Sequence, residues 1–210
     1  MKYQEERTQT AAYMRRLYER HLTTCSGGNI SCRVGENDVL LTASAIDKAY
    51  LQAEHIAILS MDGENRTPEL KTSTESAMHL AVLKARPDVR AVVHAHPVHA
   101  SLFTASDKTI RTDILAEARY MLGEPVMAPY ARMGTDSLAE IVGKTFQDKT
   151  VNVVLLENHG IVTVGGNLHQ AYDRMEVLEA AAHMTLLGSM LGGVKVLTPE
   201  RRDEIDAMHG

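Results

Sequence analysis

The sequence predicts a mixed fold of the α/β or α+β class, and three observations carry that expectation. Apolar runs with strand character gather in the middle of the chain. Amphipathic stretches with helical spacing come before, between and after them. Gly, Pro, Asp or Asn punctuates the boundaries, where turns are needed. At 210 residues the chain has room for one substantial core, and neither an internal repeat nor a low-complexity linker divides it. A single domain over residues 1–210 is therefore expected.

The elements follow in order. Residues 3–22 place Met14, Leu17, Tyr18 and Leu22 at three- and four-residue steps among charges, which predicts a helix. "TTCSGGNIS" breaks that pattern with small residues and paired glycines and reads as a loop. "VLLTAS" predicts a short strand, and "HIAILSMDG" another that ends in an Asp62-Gly63 turn. A helix is expected from "TSTESAMHLAVLKARPDV", stopping before Pro87. "RAVVHAH" is a strand closed by Pro97, which cannot donate to a sheet ladder. "VNVVLLENHGIVTVGG" predicts two strands around a His-Gly break. Asn167, with Gln170 three residues on, caps a long helix running to about Leu187.

Composition narrows the function classes. The chain is 44% hydrophobic and 23% charged, ordinary for a soluble globular protein, and its longest apolar stretches fall short of a membrane span. "MKYQEERTQT" is polar and lacks the apolar core of a secretory signal. Net charge is −5, with pI near 6.0 and no basic block, so neither nucleic acid nor a membrane is an expected partner. Cys25 and Cys32 form no C-x-x-C pattern and no disulfide framework, which fits a reduced, cytoplasmic setting. The 11 methionines read as adaptable core filling, with a methionine-lined pocket as the alternative.

Chemistry concentrates in three places. In a strand, His94 and His96 point to the same side with roughly 7 Å between their α-carbons, which suits two imidazoles converging on one cation. Two hydrogen-bonded histidines at a strand end are the alternative. His159 follows another apolar run, and Gly160 behind it permits a sharp turn. Three such histidines match the ligand number of catalytic zinc sites. His99 lies past Pro97, out of register, and ranks below them; His21, His55, His79, His169, His183 and His209 are expected at the surface or in packing. Glu75 has two readings, a T-x-x-E capping box with Thr72 or a general base beside the metal. Finally, "SGGNIS", "TASA" and "KTSTE" offer Ser26, Asn29, Ser44, Ser73 and Thr74, together with backbone amides. Three such loops suit a phosphate dianion, although each serine alone reads as a turn residue.

The order "SGGNIS", "LLTASAID", "STES", "AVVHAHPVHA", "APYARMGT" and "LLENHGIVTVG" resembles the class II aldolase/adducin family over about residues 5–190. The resemblance implies a three-layer α/β/α domain around a largely antiparallel sheet, assembled as a C4 homotetramer with sites at subunit borders. It implies one divalent metal per chain, zinc with manganese or cobalt as alternatives, on His94, His96 and His159. Glu75 then matches the catalytic acid/base. Asn29, Ser44, Ser73 and Thr74 match the phosphate loops, with Ser26 and Gly28 beside them and Ala45 where the family's aldolase has glycine. The family's aldolases also use a tyrosine from a neighbouring subunit. That position holds Ile114 or Leu115 here, with Tyr120 nearby but shifted.

The implied reaction is metal-dependent retro-aldol cleavage of a ketose 1-phosphate of the fuculose, deoxyribulose or methylthioribulose type. The products are dihydroxyacetone phosphate and a short aldehyde. Family members that epimerise pentulose 5-phosphates carry aspartate where Glu75 stands, whereas decarboxylases of 3-oxo-tetronate phosphates keep a glutamate. A metal-free, adducin-like binding protein would lack the three histidines.

Overall fold

The computed structural model describes residues 1–209, and of His209 the backbone only. The expected place of His209 at the surface or in packing, and the domain's final Gly210, lie outside the described residues.

The first helix, α1 (Gln4–Glu19), forms where the periodicity predicts it. Arg7, Thr10, Ala11, Met14 and Leu17 make its buried stripe. The strand that follows, β1 (Asn29–Val34), starts inside the segment expected to be a loop. Its apolar residues Ile30, Cys32 and Val34 enter a single core cluster. Asn29, Ser31 and Arg33 alternate with them on the opposite face, and this polar half hides the strand in the sequence. Next come β2 (Asp38–Thr42), a 3₁₀ turn at Lys48–Tyr50, and β3 (Ile56–Ser60).

Helix α2 (Ser76–Ala85) begins four residues later than the sequence suggests, and Glu75 in its N-cap position makes no capping bond with its side chain. The Thr72–Glu75 capping box is not formed. Strand β4 (Ala91–Ala95) ends just ahead of Pro97, as expected. Then follow α3 (Val98–Phe103), α4 (Ala116–Leu122), β5 (Val126–Ala128) and α5 (Asp136–Thr145), all beyond the sequence expectations. Three of these are too short for a period to show. α5 carries a legible signal, with the Thr135 hydroxyl accepting from Leu138 N–H and Leu138, Ala139 and Val142 buried. β6 (Val153–Leu156) and β7 (Gly160–Gly165) flank the His-Gly break, and α6 (Leu168–Met190) is capped by Asn167, which accepts from the Gln170 N–H. α7 (Pro199–Asp206), also unanticipated, is highly charged and buries none of its residues.

The seven strands form one sheet in the order β3-β2-β1-β4-β7-β6-β5, antiparallel throughout except between β5 and β6. Alternation sends Ala91, Val93 and Ala95 of β4 into one core cluster with α1 and α6. Val92 goes into the other, with α2 and α5. His94 shares the face of Val92, so it meets α2. The register sets Asn29 opposite His94 and Ile161 opposite Ala95, which brings three strand ends to one place.

Met14, Met78 and Met175 fill the two core clusters, whereas Met1, Met127, Met133, Met190 and Met208 are exposed, so core filling accounts for only part of the methionines. Cys25 is exposed, Cys32 is buried, and both are free thiols. Among the described residues, no helix is long and apolar enough to cross a membrane.

Candidate active site

His94 is wholly buried at the end of β4. Its Nδ1 donates to the Ile161 carbonyl at 2.9 Å, which fixes the tautomer and leaves Nε2 with a lone pair. That Nε2 lies 3.1 Å from Nε2 of His96. His159 closes the triangle: its ring centroid is 4.9 Å from that of His94 and 5.5 Å from that of His96. One ring nitrogen from each histidine falls within 4.8 Å of the other two.

The turn that presents His159 works differently from the sequence expectation. The left-handed residue is Asn158, with φ 55°, a residue type that tolerates this conformation. Gly160 instead starts β7, where a Cβ would run into His96 Cδ2 and stand 2.9 Å from the Ala95 carbonyl oxygen. Glycine is needed there so that the strand can pass beside the imidazoles.

Three observations suit a divalent cation. The nitrogens converge, burial drops the His96 pKa to about 3 so that the ring is neutral, and His159 Nδ1 is buried without a hydrogen-bond partner. These are the features of a ligand set.

Glu75, 6% exposed, faces this triangle. Its Oε2 is 3.2 Å from His94 Nε2, and its Oε1 is 3.2 Å from His159 Nε2. Asn29 Nδ2 donates to Oε2 at 2.9 Å. Burial pushes the carboxyl pKa up, but the neighbouring imidazoles, His94 first, and the Asn29 amide outweigh it and hold the group ionised below its usual range.

Asn29 links this carboxylate to the small-residue loops. The same amide nitrogen donates to Ser73 Oγ at 3.0 Å, and Glu75 N–H donates to that oxygen at 3.2 Å. Both Ser73 lone pairs are thus engaged, leaving its O–H as a donor for an incoming anion.

The amide orientation comes from a residue expected only in packing. His79, 1% exposed on α2, places Nε2 against Asn29 Oδ1 and Nδ1 2.7 Å from Ser31 Oγ. Because the Asn29 nitrogen is spent on Glu75 and Ser73, its oxygen accepts from His79 Nε2–H, and the Ser31 hydroxyl donates to Nδ1. Burial lowers the His79 pKa to about 3 and keeps it neutral in this chain of bonds. The signal available in the sequence is its position one helical turn after Glu75.

A cavity of about 230 Å³ gathers these parts. Its wall contains Ser26, Gly28, Asn29, Ser44, Ser73 and Thr74 together with Glu75, His96 and His159. His94, wholly buried, is not part of that wall. Ala45 is not part of it; the residue sits beside Ser44 with φ 61°, a left-handed backbone that a glycine adopts without strain. Lys48, Asn158 and Met133 join the wall without having been anticipated. Ile114, Leu115 and Tyr120 do not line it. His99 stacks on His183 at 4.0 Å and holds Glu179 at 2.7 Å, a tie between α3 and α6 away from the cavity.

Residues 8–186 match the model of the class II aldolase and adducin N-terminal domain. The chain is 32% identical over 173 residues to L-fuculose phosphate aldolase of Methanococcus maripaludis, covering 82% of this chain and 92% of that protein. It is 30% identical over 210 residues to 5-deoxy-D-ribulose 1-phosphate aldolase of Bacillus thuringiensis, covering 98% and 95%. It is also 32% identical over 189 residues to 3-oxo-tetronate 4-phosphate decarboxylase of Haemophilus influenzae, covering 84% and 86%. A solved L-fuculose 1-phosphate aldolase superposes with TM-score 0.88 at 27% identity, over 100% of this chain and 98% of that one. With the family model spanning most of its length, the chain belongs to the class II aldolase and adducin family.

Proposed function

We propose that the protein is a metal-dependent aldolase that cleaves a ketose 1-phosphate to dihydroxyacetone phosphate and a short aldehyde. The observation that carries this reading is Asn29, whose one amide holds both the Glu75 carboxylate and the Ser73 hydroxyl. A base and an anion cradle so joined suit a substrate with its phosphate one carbon from a reacting carbonyl. His94, His96 and His159 would hold one divalent cation, zinc in the first place and manganese or cobalt otherwise. When bound, that cation supplies Lewis acidity to stabilise negative charge developing next to the carbonyl.

The chain's own residues do the rest. Ser26, Ser44, Ser73, Thr74 and the backbone at Gly28 grip the phosphate, and this remote binding positions the carbon chain. In the direction of cleavage the ionised Glu75 takes the C4 hydroxyl proton as the C3–C4 bond breaks and C4 becomes the aldehyde carbon. The electron pair stays on C3, and Glu75 returns the proton there. In the reverse direction the ionised Glu75 removes that proton. Burial of Glu75 excludes water from the exchange.

A second reading is decarboxylation of a 3-oxo-tetronate phosphate, favoured by the decarboxylase of similar identity and by the glutamate at position 75. It also leaves an electron pair beside a carbonyl for Glu75 to protonate, and it also yields dihydroxyacetone phosphate. Epimerisation of a pentulose 5-phosphate breaks a carbon–carbon bond and re-forms it, and releases neither product. A panel of ketose 1-phosphates and a 3-oxo-tetronate 4-phosphate, assayed for dihydroxyacetone phosphate, aldehyde and carbon dioxide, separates the aldolase from the decarboxylase. Aldehyde release supports the aldolase; carbon dioxide alone overturns it in favour of the decarboxylase, and absence of every product removes both. With the activity go three further readings: one three-layer α/β/α domain over 1–210, a C4 homotetramer that completes the site, and a cytoplasmic setting matched by the free Cys25 and Cys32.

A further inference from the structure

Among the described residues Lys48 is the one lysine or arginine on the wall of the cavity, opposite in sign to the Glu75 carboxylate that shares it. The residue is only 3% exposed. Among the described residues it takes part in no ion pair. The adjacent carboxylate, Asp47, is turned to the Ala49 N–H at 2.9 Å, where it caps the 3₁₀ turn. The Lys48 backbone N–H donates to the Cys25 carbonyl at 2.9 Å, which ties this turn to the loop bearing Ser26.

A lysine side chain this little exposed and without a counter-ion is costly. The other groups that face a phosphate there, the hydroxyls of Ser26, Ser44, Ser73 and Thr74 and the backbone at Gly28, are neutral. They satisfy a dianion's lone pairs but not its charge, and Glu75 nearby repels it. Burial lowers the Lys48 pKa, against the pull of Asp47, and an entering anion would reverse that shift.

We propose that Lys48 is the specificity-determining cation of this site, pairing with the phosphate dianion and selecting phosphorylated over unphosphorylated substrates; the proposal rests on the phosphosugar reading above. Lysine serves such a site as a point charge, while the surrounding loops supply direction.

The test uses the full, metal-loaded chain with two probes, dihydroxyacetone phosphate and dihydroxyacetone, in calorimetric titrations. The parent should prefer the phosphorylated probe. Lys48→Met should weaken dihydroxyacetone phosphate by about 10- to 150-fold, as expected for a lost charged hydrogen bond, and leave dihydroxyacetone unchanged. Without ligand the variant should melt no lower than the parent, because it has shed an unpaired buried charge. Inorganic phosphate should raise the melting temperature of the parent more than that of the variant. Lys48→Gln provides the same comparison with a polar side chain if the methionine variant fails to fold. A parent that prefers the phosphorylated probe, with variants that bind it equally well, overturns the role of Lys48 alone. Variants that melt far below the parent and lose both probes alike make Lys48 structural. A parent without any preference overturns the phosphosugar reading itself, and Lys48's role with it.

Discussion

Asn29 Nδ2 lies 2.9 Å from Glu75 Oε2, and that nitrogen also lies 3.0 Å from Ser73 Oγ. The base and the anion cradle therefore share one donor. Its direction is set from behind by His79 and, through it, Ser31. Since the five side chains are buried, each missing bond would leave a desolvated group unpaired.

Asn29→Asp tests this coupling with almost no change in shape. The introduced carboxylate could still accept from His79 but could not donate to Glu75, and two carboxyls at hydrogen-bond distance cannot both ionise. The pKa of Glu75 should rise. A base works only above its pKa, so the acid limb of the pH–rate profile should move to higher pH. Turnover at neutral pH should fall about tenfold for each unit by which that pKa passes the working pH. An unmoved acid limb would disconnect Asn29 from the base.

Glu75→Gln separates base from cap. Glu75 makes no capping bond with its side chain, so little helix stability depends on its charge. Glutamine can still accept from Asn29 through its carbonyl but cannot take a proton. Melting within a few degrees of the parent is expected, with metal retained on the three histidines. Turnover should drop by about 10²- to 10⁴-fold, and exchange of the carbon-bound proton of dihydroxyacetone phosphate with solvent should fall in parallel. Parental exchange rates in this variant would move the base elsewhere.

What the sequence made legible was the part of the site carried by whole motifs. His94, His96 and His159 stand at the ends of apolar runs, and the three small-residue loops sit between elements that periodicity could find. The structure brings these together on one cavity. The second layer was hidden, because its residues look ordinary in isolation. His79 lies in an apolar helix and Ser31 in what reads as a loop, yet pairing β1 with β4 and packing α2 on that face joins them. Only the fold reveals that Lys48 is buried. In β1 the same polar alternation that builds the site obscured the strand. Glu75 met a different difficulty, since its local sequence fits a capping box and only tertiary contact with His94 and His159 decides against it.

Gly160→Ala should damage the metal centre without touching a ligand's identity. The new methyl would run into His96 Cδ2 and meet the Ala95 carbonyl oxygen at 2.9 Å, and the backbone oxygen of a paired strand cannot yield easily. Overpacking of this kind costs about 1–3 kcal/mol, and relief by rotating His96 would spoil the convergence of the nitrogens. The variant should fold with a lowered melting temperature and bind less metal by elemental analysis. His96→Ala should lose the metal altogether while keeping the fold. Full occupancy in either protein would break the assignment of the three histidines.

Acid stability should report on His79. Burial holds it at a pKa of about 3 in the folded chain, against 6.5 for the ordinary side chain. Below pH 6.5 the unfolded chain binds a proton that the folded chain refuses, so stability must fall as pH drops from 6.5 toward 3. The slope reaches about 1.4 kcal/mol per pH unit for one such group. His96, lowered to about 3 by burial, contributes in the same direction. The comparison is therefore between the metal-free parent and metal-free His79→Gln. Glutamine can donate to Asn29 Oδ1 and accept from Ser31 but does not titrate. At pH 8 the variant should be less stable by about 1–3 kcal/mol, the cost of imperfectly remade buried hydrogen bonds. As pH falls, contributions from His96 and from the carboxylates act on both proteins and cancel in the difference. Denaturant unfolding at pH 8, 6, 5 and 4 should show the two stabilities converging and then crossing. If they stay parallel over that range, His79 is not held neutral behind Asn29, and the orientation of the amide must be set by something else.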